Sequence, residues 1–106
     1  MSVIMTLSLQ GDPEKLEEYA AANADEIRGI ADTARGYGAI AHRFYGSDDG
    51  QIMVIDEWPD EQSFQTFFEN TRDRIGPLME AAGASSEPQV RFWRKLDTGD
   101  DIGWEG

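Results

Sequence analysis

The first third of the chain contains two patterns of apolar residues, first a short continuous run and then a spacing of three and four residues. Residues 3–10 form a short run of apolar and β-branched residues closed by Gly11, which predicts a strand. From residue 12 to residue 36, apolar and small residues recur at steps of three and four, which predicts one amphipathic helix. Asp12 is a suitable N-cap, and Gly36 favours the left-handed conformation that ends helices. The stripe consists of Leu16, Ala20, Asn23, Ile27, Ile30 and Ala34.

The pattern continues with a hairpin, a second helix and a last strand. Residues 38–45 and 51–58 predict two strands, because a turn of glycine, serine and aspartate joins them. Asp60 is the expected cap of the second helix. Pro77 predicts a break near Gly76, because proline has no amide hydrogen to donate. Residues 89–96 predict the last strand. The stripe of the second helix consists of Phe64, Phe67, Phe68, Thr71, Ile75, Leu78, Met79 and Ala82.

This βαββαβ order predicts an α+β domain of the ferredoxin-like type, with a four-stranded antiparallel sheet. The predicted strands are apolar on both faces. Ile52 and Val54 point to one face of the sheet, whereas Met53 and Ile55 point to the other. Two helices can cover only one face, so a second copy of the chain is expected to cover the other. The sequence therefore predicts a homodimer.

The composition limits the function without naming it. A chain of 106 residues corresponds to one domain. Its net charge of −12 argues against nucleic acid as a partner and against binding to anionic membranes. The absence of cysteine and the single histidine leave too few ligands for a zinc site. The N-terminus lacks a basic region, and the apolar runs are shorter than a membrane span, so a cytoplasmic protein is expected.

Two segments carry a family resemblance. The first is His-Arg-Phe-Tyr-Gly at residues 42–46, and the second is the strand and helix start at residues 52–64, with Glu57 and Trp58 at their junction. Together they resemble the antibiotic biosynthesis monooxygenase domain family, over about residues 3–96. The resemblance implies a domain at residues 1–96 whose sheet pairs with that of a second protomer in a dimeric α+β barrel. Residues 97–106 would then form an acidic C-terminal tail.

The resemblance also implies several activities. Some members of the family oxidise polycyclic phenols with molecular oxygen and no cofactor, some degrade haem, and many have no known activity. The haem-degrading branch uses an asparagine on the first strand, a tryptophan on the second helix and a histidine soon after it. In this chain the polar residues of the first strand are Thr6 and Ser8, and the second helix carries phenylalanines. These differences argue against haem degradation.

His42 is the candidate catalytic residue. As a general base it could remove a phenolic proton before oxygen attacks the ring. The alternative is a structural histidine that is hydrogen-bonded to a backbone group, to Asp56 or to Glu57. The choice between these partners depends on the hairpin register, because a shift of one residue moves a side chain to the other face.

The candidate substrate-binding residues are polar groups of the first helix and aromatic rings. Tyr19 and Asn23 could orient a hydroxylated substrate. Alternatively, Tyr19 could cover the edge of the core, and Asn23 could form a hydrogen bond with a neighbouring backbone group. Phe64, Phe68 and Trp93, together with Phe67 and Trp58, could wall a pocket for a flat ligand. Aromatic residues at helical spacing are more often plain core.

Three functions follow from these residues. The leading hypothesis is a cofactor-independent monooxygenase that acts on a small aromatic or phenolic molecule without flavin, metal or nicotinamide. The second is a non-catalytic dimeric module that binds a small molecule. The third is a haem-binding protein in which His42 ligates iron. The tail carries Ile102 and Trp104, which we expect to anchor it on its own domain or on the partner.

Overall fold

The computed structural model describes residues 2–103, and within them the predicted ferredoxin-like fold is confirmed. Four antiparallel strands form one sheet in the order β2-β3-β1-β4, and the helices pack on one of its faces. None of the described helices has both the length and the apolar character of a membrane span. The elements are β1 (Val3–Gln10), α1 (Pro13–Ala22), α2 (Ala24–Gly36), β2 (Ala41–Gly46), β3 (Gln51–Trp58), α3 (Glu61–Ala81) and β4 (Gln89–Trp93).

The two central strands divide their residues between the faces as the pattern predicted. On β1, Met5, Leu7 and Leu9 are buried against the helices, and on β3 every second residue from Ile52 to Trp58 is buried there. Alternation with a period of two is what a sheet with one covered face requires. The same cluster includes apolar side chains of all three helices, so the core lies between the helices and the sheet.

The first helical segment is two helices, and the prediction of a single one is wrong. Asn23 leaves the helical conformation, with φ −128° and ψ 43°. Its side-chain amide donates to the carbonyl of Tyr19 at 3.0 Å, and its backbone N–H donates to the same oxygen at 2.9 Å. A short polar side chain that bonds to the nearby backbone competes with the helical ladder. Asn23 therefore ends α1 and precedes α2.

The second predicted helix has no break, so the expected interruption near Gly76 is also wrong. α3 continues through Pro77 to Ala81. Gly76 and Pro77 both face solvent, where water can satisfy the carbonyl that loses its amide partner. The next residue, Leu78, is buried in the core and holds this part of the helix against the sheet.

The outer strands are shorter than the pattern predicted. β2 begins at Ala41, because Gly38 has a positive φ of 111° in the turn that follows α2. β4 ends at Trp93, which pairs with Ile4 near the start of β1. Residues beyond Trp93 extend past the neighbouring strand and so have little to pair with.

The structure contradicts part of the prediction that Ile102 and Trp104 anchor the C-terminal tail. Ile102 is 88% exposed, so it does not pack on its own domain. An exposed ion pair joins Lys95 to Asp101 at 2.8 Å. Trp104 lies outside the described residues. Contact of the tail with a partner chain stays a prediction.

Candidate functional site

The hairpin register places His42 on the helix-covered face of the sheet. β2 and β3 pair His42 with Asp56, and the imidazole Nδ1 lies 2.7 Å from Asp56 Oδ1. The Asp56 side chain is 7% exposed, whereas that of His42 is 36% exposed. Glu57, the other candidate partner, lies on the opposite face and accepts a hydrogen bond from Ser2. Asp56 is therefore the carboxylate that orients the imidazole.

The second oxygen of Asp56 is held as well. The indole N–H of Trp58 donates to Asp56 Oδ2 at 3.1 Å, and Trp58 is completely buried. An ionised carboxylate can only accept hydrogen bonds, so beside an ionised Asp56 the proton of this hydrogen bond belongs to Nδ1 of His42. In the neutral ring, Nε2 then has a free lone pair. The arrangement of Trp58, Asp56 and His42 is that of a base with a carboxylate behind it, as in enzymes that use histidine to accept protons.

His42 and Asp56 lie at the wall of a small, partly open cavity of about 70 Å³ under the helices. Its lining comes from α2, α3 and strands β1 to β3, and it is apolar except for these two residues. The Phe44 ring meets the imidazole edge-on, with the ring centres 5.1 Å apart. Apolar cavities with a few convergent polar groups are typical of small-molecule sites. We call this space the inner cavity.

A larger open cleft of about 770 Å³ lies between α1 and the β2–β3 hairpin. We call it the outer cleft. Its rim carries carboxylates, and none of its lining residues is basic. Two apolar residues, Ile27 of α2 and Phe44 of β2, line both the outer cleft and the inner cavity. The acidic side chains of the outer cleft are Asp12, Glu14, Glu17 and Asp48.

The structure brings together some of the predicted site residues and separates others. Phe64 and Phe68 line the inner cavity beside His42, and their rings stack at 5.6 Å. Tyr19 packs against the core and lines neither space. The side-chain amide of Asn23 donates to the carbonyl of Tyr19 at the end of α1 and also lines neither space.

Trp93 lies on the opposite face of the sheet, so the expectation that it walls the same pocket as the phenylalanines needs correction. Its side chain is 47% exposed, and its indole donates to the Thr6 hydroxyl at 2.8 Å. The reason is the pairing with β1. Trp93 is opposite Ile4, whose side chain points away from the helices.

The two residues that line both spaces, Phe44 and Ile27, were not identified from the sequence as site residues. Phe44 has the same parity as His42 on β2, and this was a usable signal. Ile27 belonged to the predicted stripe of the first helix, but nothing in the spacing distinguished it from other core positions. Trp58 was considered only as a pocket wall, whereas it supports Asp56.

No protein-family model matches the chain, and no curated protein matches it. Several solved structures share its fold. One is a monooxygenase from the gene ActVA-Orf6 of Streptomyces coelicolor, in complex with the ligand nanaomycin D. It is 18% identical, with a TM-score of 0.66 over 92% of this chain and 89% of that chain. A dimeric ferredoxin-like protein from an uncultured marine organism is 14% identical, with a TM-score of 0.63 over 95% and 93%.

A third structure is named as an antibiotic biosynthesis monooxygenase. It is 13% identical, with a TM-score of 0.61 over 90% of this chain and 99% of that chain. Identities this low are evidence about the fold and leave the chemistry open. The resemblance predicted from the sequence is thus confirmed at the level of architecture: the chain has the fold of the antibiotic biosynthesis monooxygenases.

Proposed function

We propose that the protein is a cofactor-independent monooxygenase that oxidises a small phenol with molecular oxygen, with His42 as the general base. The observation that carries the proposal is the chain of hydrogen bonds from Trp58 through Asp56 to His42, at the wall of an apolar cavity. A carboxylate that orients a histidine is a recurring device for proton transfer. The fold is compatible with this chemistry but does not establish it.

The proposed reaction begins with a proton transfer. Nε2 of His42 takes the proton of the phenolic hydroxyl, and the phenolate gives one electron to oxygen. The resulting superoxide and phenoxyl radical combine at a ring carbon that bears hydrogen, which forms a C–O bond. Loss of that hydrogen, together with cleavage of the O–O bond and return of the proton from the His42 imidazolium to the departing oxygen, yields a quinone carbonyl and one molecule of water. The phenol loses four electrons, and both oxygen atoms are reduced by two electrons each.

Each residue of the site has a role in this scheme. Asp56 fixes the imidazole in the tautomer that accepts a proton at Nε2, and it stabilises the imidazolium that forms. Trp58 holds the second oxygen of Asp56, so the carboxylate cannot turn away. Phe64 and Phe68 offer a stacked apolar surface to an aromatic ring. These residues act as one unit, and we expect their losses not to be additive.

The volume of the inner cavity bears on how a substrate binds. A cavity of about 150 Å³ is enough to hold benzene in another protein, and the inner cavity measures about 70 Å³. An aromatic substrate must therefore displace side chains in order to enter the inner cavity. The same small volume favours the rival function, which is a non-catalytic module with a closely packed interior.

The open face of the sheet supports a symmetric homodimer as part of the proposal. Ile4, Tyr45 and Trp93 are exposed there, and Met53 and Ile55 lie between them on β3. Large apolar side chains that are exposed together on one face of a sheet, with polar residues around them, are typical of an interface. A second copy of the same sheet would cover it with matching residues related by a twofold axis. The relative from the uncultured marine organism is described as dimeric.

The test is oxygen consumption by the purified protein with a panel of oxidisable phenols, including an anthrone and a hydroquinone. The proposal predicts a colourless protein that consumes oxygen only in the presence of a phenol. His42→Gln should lower the rate by about a hundredfold or more, because a positioned base contributes that much. Arg43→Gln is the matched control, since Arg43 is the next residue on β2 and points to the opposite face.

Three outcomes would count against the proposal. Full activity in His42→Gln would remove the base from the mechanism. No oxygen consumption with any phenol would favour the binding module. An absorbance band of bound haem in the purified protein, lost in His42→Gln, would favour the haem-binding alternative.

A further inference from the structure

The inner cavity and the outer cleft are separated by very little protein. Ile27 and Phe44 line both spaces. His42 lines only the inner cavity, and the carboxylates Asp12 and Glu17 line only the outer cleft. A side chain that lines both spaces forms part of the wall between them, so its position affects whether the two spaces connect.

Phe44 is better suited to move than Ile27. It lies on β2, which is the edge strand of the sheet, and its ring is half-buried. Its ring meets the imidazole of His42 edge-on, at an interplanar angle of 84°. No hydrogen bond can fix a phenylalanine ring, whereas Ile27 is β-branched and stiff at χ1.

We propose that Phe44 is a gate that controls which ligands reach His42. In its observed position it separates the outer cleft from the inner cavity. When the ring swings away, the 70 Å³ inner cavity opens into the 770 Å³ outer cleft and accommodates a ligand of more than one ring. This inference rests on the proposed function for the role of His42, and it adds the route, the size and the charge of the substrate.

The charge of the route limits the substrate further. The outer cleft carries four carboxylates and no basic lining residue, and the whole chain has a net charge of −12. Like charges repel a ligand that carries its own carboxylate. The inner cavity offers no cation to compensate, because its lining is apolar apart from His42 and Asp56. The charge of the route therefore favours a ligand without a negative charge.

A competing route starts at the edge of the sheet. The His42 side chain is about one-third exposed, so a ligand could approach the imidazole directly from solvent. In that case Phe44 would be an ordinary wall residue. The two routes differ in a measurable way, because a ligand that approaches His42 from the edge of the sheet does not need Phe44 to move.

His42 is the only histidine of the chain, and this makes the experiment direct. In untagged protein, the imidazole C–H resonances in a proton NMR spectrum belong to His42 alone. Phenol, 1-naphthol and 1-naphthoate are titrated without oxygen, so that binding is measured apart from turnover. The proteins compared are the wild type, Phe44→Ala, Phe44→Leu, Phe44→Trp and Phe92→Ala. Phe92 is the matched control, since it is half-buried and lines neither space.

The gate predicts a defined order of affinities. Phe44→Ala should bind 1-naphthol about tenfold more tightly than the wild type, because the closed state no longer reduces the competent fraction. Phe44→Leu should follow the same direction with a smaller change, and it keeps most of the buried volume if the alanine variant folds poorly. Phe44→Trp should bind 1-naphthol about tenfold more weakly. Phe92→Ala should match the wild type, and 1-naphthoate should bind more weakly than 1-naphthol to all of them.

The contrary results are equally clear. The gate is refuted if the His42 resonances respond to 1-naphthol with the same affinity in all Phe44 variants, or if they respond in none. It is also refuted if Phe92→Ala reproduces the effect of Phe44→Ala. Equal affinities for 1-naphthol and 1-naphthoate would refute the charge selection. Tight, Phe44-dependent binding of 1-naphthol without oxygen consumption by any phenol would sustain the gate and reject the monooxygenase.

Discussion

The two faces of the sheet are built from the same strands but are completed in different ways. On the face under the helices, Trp58 and Asp56 are buried and joined by a hydrogen bond. Every buried side-chain nitrogen and oxygen within residues 2–103 has a hydrogen-bond partner. On the open face, Trp93 is nearly half exposed, and its indole reaches Thr6. Both faces thus contain a tryptophan bonded to a polar side chain, and they differ in what covers it.

The difference separates two tasks. The helix-covered face is closed by the chain itself, so it can hold the Asp56 carboxylate away from bulk water, where its interaction with the imidazole of His42 is stronger. The open face pairs exposed groups with one another. Arg43 donates to the Tyr45 hydroxyl at 3.2 Å, which raises the pKa of the guanidinium, and Arg91 lies over the Trp93 ring. We infer that chemistry belongs to the first face and assembly to the second.

The largest expected effect concerns the two tryptophans. Trp58→Ala should lower the free energy of unfolding by about 3–5 kcal/mol, because it leaves a large cavity in the core and removes a partner of Asp56. Trp93→Ala should change the stability of the monomer by less than about 0.5 kcal/mol. Urea unfolding at a protein concentration low enough to give monomers measures both. Equal losses for the two variants would contradict the distinction between the faces.

Trp93→Ala should instead weaken the dimer. The stability of a dimer rises with protein concentration by mass action, so the urea midpoint of the wild type should increase with concentration. The midpoint of Trp93→Ala should increase less over the same range. Sedimentation of the wild type as a monomer at micromolar concentration would remove the dimer from the account.

The next effect concerns two neighbouring carboxylates of β3. Asp56→Asn should lower the rate of phenol oxidation by about a hundredfold, because the amide no longer holds the imidazole in the accepting tautomer or stabilises its charged form. Glu57→Gln is the matched control on the opposite face and should retain the rate. Initial rates of oxygen uptake measure both variants, with circular dichroism to check the fold. A loss of rate in Glu57→Gln as large as in Asp56→Asn would argue that β3 acts through stability alone.

A smaller effect is expected from the acidic tail. Deletion of residues 98–106 should leave the melting temperature of the monomer unchanged, because Ile102 is exposed on its own domain. If the tail contacts the partner chain, the deletion should weaken the dimer by less than about tenfold, as expected at an interface rim. Sedimentation equilibrium measures the dissociation constant. An unchanged dissociation constant would show that the tail takes no part in assembly.

The smallest effect is the pH dependence of the cap that begins α3 over the covered face. The backbone N–H of Ser63 donates to Asp60 Oδ1 at 2.7 Å and lowers the pKa of that carboxyl group. A group with a lowered pKa in the folded state stabilises the fold above its unfolded pKa, and this contribution is lost as the pH falls through the folded pKa. Asp60→Asn keeps an uncharged cap. The melting temperatures of the two proteins should therefore converge on acidification below about pH 4. Parallel curves would contradict this assignment.

The parts of the fold that depend on local pattern were predictable from the sequence. β1 and β3 have the predicted bounds, because each is a short run of mainly apolar residues limited by a glycine or a proline. The end of α1 was not predictable in this way. Asn23 fits the apolar stripe by spacing, and the spacing does not show that its side-chain amide bonds to the carbonyl of Tyr19 where the helix ends. Pro77 led to the opposite error, because its solvent-facing position was not visible in the sequence.

The sequence predicted which site residues share a face of one strand, but it did not predict which residues of different strands meet. His42 and Phe44 share a face by parity, but the partner of His42 depended on a hairpin register that the turn residues alone did not determine. Trp93 was wrongly grouped with the aromatic residues of the pocket. Which residues of β4 face the helices is set by its pairing with β1, more than eighty residues earlier in the chain. Relations between distant strands arise from the packed sheet and leave no local pattern.

The most direct test of the central claim is an isotope measurement on the oxidation of a phenol under ¹⁸O₂. The account predicts that the quinone gains one labelled oxygen atom, that the other labelled atom appears in water, and that His42→Gln suppresses both products together. Mass spectrometry of the quinone, quenched before its carbonyls exchange with water, measures the incorporation. A quinone without label, or an equal yield of labelled quinone from His42→Gln, would contradict the account.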